Sequence, residues 1–243
     1  MRALLRDAVR TLVPPKGDQH GPLPPVMLAL TVVTGLVDAV SYLGLGHVFV
    51  ANMTGNVVFL GFALADAQDL SALASVVSVA AFLTGALAGG RFSVRFAPHR
   101  GQLLASAMTV QAALFAGALV TTLAGHDEVS TAVQYTLIVL LGLAMGLQNA
   151  VARRLGVPDL TTTVLTLTLT GLAADSGPAG GTAPRPGRRI LSVLAMLLGA
   201  LAGALLLKIG LSLVLGVALA LLAVGAVVLW RLSTPGAPWA ATR

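Results

Sequence analysis

Residues 47 to 66 read HVFVANMTGNVVFLGFALAD. The stretch is apolar on average, yet its first part is polar and poor in helix formers, with Asn52, Thr54, Gly55 and Asn56 where extended chain should give way to helix. A second stretch of the same kind, GVPDLTTTVLTLTLTGLAAD, occupies residues 156 to 175. Whether these two segments cross a membrane or turn back inside it decides the fold.

That a membrane is involved follows from composition. Of 243 residues, 56% are hydrophobic and 10% charged, with a mean hydropathy of +0.91, so there is too little polar surface to clothe a water-soluble globule. A soluble enzyme and a nucleic-acid-binding module are excluded together. The net charge of +6 then reports orientation, because Lys and Arg flanking apolar stretches set the direction of crossing. The absence of cysteine removes disulfides, thiolate metal sites and cysteine nucleophiles. No Walker loop, HExxH, GxSxG or paired-carboxylate arrangement is present, so no enzyme activity, cofactor or metal is expected.

A helix needs roughly 20 apolar residues to cross a bilayer. Six stretches qualify, at about 25 to 46, 72 to 90, 103 to 124, 133 to 152, 190 to 208 and 211 to 231. If residues 47 to 66 and 156 to 175 were also full spans, the loop carrying Arg91, Arg95 and Arg100 would lie opposite the basic N-terminus, against the positive-inside rule. If both are re-entrant, every Lys and Arg except Lys208 falls on the inner side, while Asp66, Asp69, Asp127 and Glu128 fall outside. Lengths agree: residues 47 to 52 reach inward by roughly 18 to 20 Å as extended chain, and a helix over 54 to 66 returns about 20 Å. Irregular backbone at that depth is tolerated only when buried in protein or lining a wet cavity, so a site or pathway is implied. The predicted fold is an all-α integral membrane protein with six transmembrane helices and two re-entrant half-helices.

The chain also repeats. GALAGG at 85 to 90 recurs as GALAGA at 199 to 204, and Gly35, Asp38, Gly61 and Asp66 find counterparts in Gly146, Asn149, Gly171 and Asp175. Each half reads span, re-entrant segment, span, span. Three crossings per half make the copies run in opposite senses, an inverted repeat of the kind that places a solute site at the midplane. The domains are a cytoplasmic basic segment at 1 to 24, a first repeat at 25 to 124, a second at 133 to 231 and a cytoplasmic tail at 232 to 243. The N-terminal segment, with Arg2, Arg6 and Arg10 among apolar residues before Pro14 and Pro15, lacks a secretory cleavage pattern and is expected to be retained. It reads either as a basic amphipathic helix on an anionic leaflet or as a disordered tail.

Asp38 lies near the middle of the first span, where an ionisable group costs a few kcal/mol on the mildest scales. Thr31, Thr34, Asp38 and Ser41 form one polar stripe at helical spacing. Asp38 is the candidate for proton coupling, or alternatively a structural anchor of a broken helix. His47, at the junction with the re-entrant segment, is a second candidate for proton movement or an interfacial packing residue. Asn52, Thr54, Gly55 and Asn56 mark the start of one half-helix; Asp159, Thr161, Thr162 and Thr163 mark the other, with Asn149 opposite Asp38. Thr54 and Asn56 are placed to cap, and an unpaired helix N-terminus attracts negative charge. The substrate-binding set is therefore Asn52, Thr54, Gly55, Asn56, Asn149, Thr161, Thr162 and Thr163, suited to a small polar or anionic solute. The small residues of GALAGG and GALAGA serve close helix packing, within the chain or across a homodimer.

The stretch TGLVDAVSYLGLGHVFVANMTGNVVFLGFALA at 34 to 65 resembles the signature of the YoaK-like bacterial inner-membrane proteins, a family of unknown function. The resemblance extends over roughly 25 to 231 and includes GLAMGLQNAVARR at 142 to 154; TTTVLTLTLTG in the second half departs from the Thr-Gly pair it leads one to expect. It implies a multi-pass protein of the bacterial inner membrane of about this length, and the charge pattern puts both termini inside. The functional expectation is a transporter with a midplane site, with a passive channel or a non-transporting scaffold or sensor as alternatives.

Overall fold

A computed structural model describes residues 2–67, 70–95, 99–182, 184–233 and 239–240; Asp69 and Arg243 of the charge pattern lie outside them. Six helices are long and apolar enough to cross a membrane: α2 (Leu23–Gly44), α4 (Ala72–Arg95), α5 (Arg100–Ala124), α6 (Thr131–Leu155), α8 (Pro186–Leu207) and α9 (Leu211–Leu232). They match the six predicted stretches; most shifted ends run on by up to five residues, where flanking Arg and polar residues continue the helices past the apolar limit, whereas α2 and α8 stop two and one residues short. Two short apolar helices, α3 (Met53–Leu64) and α7 (Thr166–Ala174), stand within the awkward segments. The N-terminal segment is helix α1 (Arg2–Leu12) rather than a disordered tail, docked on the start of α8. A Cβ on Gly187 would strike the Ala8 backbone, and the Arg188 N–H donates to the Asp7 carboxylate at 3.0 Å.

Local chemistry explains the boundaries. Prolines 24 and 25 occupy the first turn of α2, where a missing N–H costs nothing. His99 and Ser130 accept the Gln102 and Val133 N–H groups at the starts of α5 and α6. Gly156 ends α6 in the left-handed conformation at φ 59°. Asp127 accepts both the backbone N–H and hydroxyl of Ser212, each at 2.9 Å, so the loop after α5 caps α9.

The spans are paired across the two halves. α4 packs on α6, α8 on α2, and α5 on α9. At the first contact a Cβ on Gly85 would collide with the Leu143 carbonyl, and one on Gly146 with the Phe82 carbonyl. At the second, a Cβ on Gly199 would collide with the Val32 carbonyl, and one on Gly35 with the Met196 carbonyl. The same reciprocal pair of glycines thus brings backbones together twice, which accounts for the recurrence of GALAG. These glycines are consumed inside the chain and lend no support to a dimer. Central α2 and α6 bury most of their surface, whereas α4 and α8 expose Leu83, Leu87, Leu197 and Leu198 at 57 to 60%. Apolar exposure on that scale suits hydrocarbon, not water.

Helix ends sort into two groups. Arg100, at the start of α5, bonds to the Gln19 and Leu155 carbonyls, and its backbone N–H reaches Ala240. The entrance of α2, the start of α5 and the end of α6 therefore meet. At the other end, Gln134 near the start of α6 donates to Leu45 after α2 at 2.8 Å, and Asp127 joins α5 to α9.

Candidate functional site

A cavity of about 560 Å³ opens where the starts of α3 and α7 approach the middles of α2, α4, α6 and α8. It is lined by Asp38 of α2, Asn149 of α6, Phe82 of α4 and Met196 of α8, by Ala51 to Gly55, and by Thr163 to Thr166. Asp38 and Asn149 are 111 residues apart, as are Asn52 and Thr163, and Gly55 and Thr166. Both halves therefore present equivalent positions to one space.

The extended chain before α3 is held by side chains. Gly46 and His47 turn it with φ of 82° and 56°, and Leu45, Val48, Val50 and Ala51 are buried. Phe49 stacks on Tyr42 and Phe59 at 5.1 and 5.7 Å. Its backbone is matched by one amide: the Phe49 N–H donates to Asn56 Oδ1 at 2.9 Å, and Asn56 Nδ2 donates to the Phe49 carbonyl. Ser78 of α4 completes the contact, donating to the same carbonyl at 2.6 Å. Asn56 thus does what a neighbouring strand would do, satisfying polar backbone away from water.

The chain before α7 is held differently. Gln148 donates to Thr162 at 3.1 Å and Thr34 at 2.9 Å, and accepts from Gln111, a fully internal network. The Thr163 hydroxyl donates to Asn149 Oδ1, and Asn149 Nδ2 to the Met145 carbonyl at 2.9 Å. Further out, Asp159 pairs with Arg185 and Arg189, each at 2.9 Å. Arg189 also holds Asp175 at 2.7 Å and the Gly171 carbonyl at 2.6 Å. One guanidinium therefore ties residues on both sides of α7.

Of the expected site residues, the structure brings Asp38, Asn52, Thr54, Gly55, Asn149 and Thr163 to the cavity. His47, Asn56, Thr161 and Thr162 are not among its walls. His47 is exposed and meets Tyr42 edge-on at 5.2 Å, Asn56 is the clamp on Phe49, and Thr162 is buried at φ 65° beneath Gln148. Thr161 is exposed and bonds back to Val164. The capping expectation for Thr54 and Asn56 does not hold: α3 begins at Asn52 with no side-chain cap, and α7 at Leu165 likewise. The polar stripe also dissolves. Thr31 and Thr34 donate to carbonyls four residues back and are fully buried, leaving Asp38 as its one member on the cavity. Asp38 Oδ1 is buried and has no hydrogen-bond partner among the described residues. Sequence reading missed Ser78, Phe82, Thr166 and Met196, and did not use Gln111, although a lone Gln inside an apolar stretch was a visible signal. Among the described residues no cluster of acidic or imidazole side chains is arranged to hold a metal.

Comparison with known proteins now places the chain. Residues 26–228 match the family model described as "Protein of unknown function (DUF1275)". The chain is 34% identical over 146 residues to the "UPF0700 transmembrane protein YoaK" of Bacillus subtilis (strain 168), a match covering 60% of this chain and 64% of that protein. No solved structure matches. With six apolar helices and a transmembrane relative, the chain is a multi-pass membrane protein and belongs to the DUF1275 family.

Proposed function

We propose that the chain is a transporter of a small polar solute, whose site is the cavity between the starts of α3 and α7, with Asp38 as the group that couples flux to a proton gradient. The observation that carries this reading is the union, in one cavity of about 560 Å³, of Asp38 and its counterpart Asn149 with the uncapped starts of two short helices. In this reading α3 and α7 are half-helices of re-entrant segments. Support comes from the helix ends: α2 leaves and α6 begins at one end of the bundle, where Gln134 meets Leu45, so α4 must start there to return its C-terminus to Arg100. For α7 the support is Arg189, which holds Asp159 before the helix and Asp175 after it. The exchanged pairing of α2 with α8 and α4 with α6, through equivalent glycines, supports an inverted repeat.

The end carrying Arg100, Arg153, Arg154, Arg185, Arg188 and Arg189 faces the cytoplasm of a bacterial inner membrane, with both termini there. The protein is not an enzyme in this reading. A simple anion fits poorly, because among the described residues the one charged side chain on the cavity is an acid.

Single cysteines in this naturally cysteine-free chain test the topology. Cysteines at Gly44 and Ala65 should react with an impermeant thiol reagent from the same side, and one at Asp175 from the other. Gly44 and Ala65 on opposite sides would remove the basis of the proposal. Gradient-driven uptake into vesicles should be lost in Asp38→Asn; uptake indifferent to both the gradient and that substitution identifies a passive channel instead.

A further inference from the structure

The cavity contains two opposed electrostatic features. One is Asp38, which takes the Ala51 backbone as one partner and keeps its Oδ1 buried and unpartnered among the described residues. The other is the pair of first turns of α3 and α7, neither capped by a side chain, with Met53, Thr54 and Thr166 on the wall. Each helix start carries roughly half a positive elementary charge on N–H groups that have no intrahelical acceptor. Two such ends about balance one carboxylate. A site with that balance gains little from a lone cation or a lone anion, since either satisfies one feature and leaves the other desolvated. A ligand bearing both signs satisfies both.

The second half sharpens the point. At the place equivalent to Asp38, Asn149 already has its oxygen filled by the Thr163 hydroxyl and its amide by the Met145 carbonyl. Only the first half leaves a strong acceptor free. Its complement is a donor with positive charge, an ammonium group.

We propose that the cavity binds a small zwitterion of the amino-acid type, with its ammonium on Asp38 and its carboxylate on the open starts of α3 and α7. The inference rests on the transporter reading for its location and adds the class of solute. Its apolar remainder would lie against Met53 and Met196.

Purified protein in detergent, screened by thermal shift and calorimetry, tests the assignment with three probes: glycine, methylammonium chloride and sodium acetate. Glycine should stabilise the protein, with methylammonium and acetate at least tenfold weaker. Asp38→Asn should weaken glycine at least tenfold and leave acetate unchanged. Met53→Pro removes one N–H at the first helical position, where proline is tolerated, and should weaken glycine and acetate but not methylammonium. Methylammonium or acetate binding as tightly as glycine, or glycine binding unaffected by both substitutions, overturns the proposal. So does no binding of any probe. The transporter reading survives each of these if a cysteine at Thr163 remains reactive from water and the Gly44 and Ala65 cysteines share a side; it falls separately if they do not.

Discussion

The segments around α3 and α7 occupy equivalent places yet are held by different chemistry. Before α3, one neutral amide, Asn56, binds the backbone of Phe49, and the nearby acid Asp38 is left with a free oxygen. Before α7, the equivalent of that acid is an amide with its partners in place, and the whole segment is closed by an Arg189 salt bridge to two aspartates. Charge in the first half points at the cavity; charge in the second half is spent at the basic end of the bundle. The difference teaches that equivalent positions need not carry equivalent chemistry: one segment leaves an acceptor oxygen open beside the cavity, and the other has its polar groups partnered within the protein.

The sharpest way to break the comparison is at what the halves share. Gly146→Leu and Gly35→Leu each drive a side chain into a backbone carbonyl, and each should cost about 3 kcal/mol or more, with similar losses seen by thermal melting in detergent. A large loss at one and none at the other would dissolve the equivalence. Next, Arg189→Met leaves Asp159 with Arg185 alone and Asp175 and the Gly171 carbonyl without their guanidinium, and should cost about 2 kcal/mol, roughly 4 to 8 °C in Tm. Adding Asp159→Asn and Asp175→Asn should recover part of it. Asn56→Ala leaves the Phe49 N–H unpaired and should cost about 2 kcal/mol, whereas Asn149→Ala should cost about 1 kcal/mol. In the opposite direction, Asp38→Asn should raise stability by roughly 1 kcal/mol by removing a buried charge that has the Ala51 backbone on one side and no partner on Oδ1 among the described residues.

The smallest effect lies outside the spans. Burial and the adjacent Arg100 guanidinium, 3.2 Å away, hold the His20 imidazole below its ordinary value of 6.5. The unfolded chain then binds a proton that the folded one does not, so stability is fully present above pH 6.5 and declines as pH falls beneath it. His20→Gln should flatten Tm against pH in that window; an unchanged slope would assign the effect elsewhere.

Much of this molecule was readable from its residues because hydrocarbon imposes simple rules. Twenty apolar residues make a span, basic residues mark a side, and Asp38 and Asn149 stood out as polar atoms inside apolar runs. The irregular segments were not readable in detail, since they have no period to fix which side chain faces where. Hence Thr163 and Thr166 line the cavity while Thr161 and Thr162 turn away. Asn56 beside Thr54 and Gly55 looks like a cap, and nothing in its spacing announces a bond to a residue seven positions earlier. Arg189 joins partners 14 and 30 residues away, a separation no local pattern signals.

That guanidinium has a practical corollary. It fastens residues 159, 171 and 175, so α7 is anchored before the Gly- and Pro-rich stretch begins, and that stretch returns to the helix end where Gly181 meets the Asp175 carbonyl and bonds to Ser176. The exposed residues 178 to 180 are therefore a permissive handle: an epitope tag or fluorophore spliced there would ride on the surface as a passenger, reporting on the protein without disturbing the half that holds it.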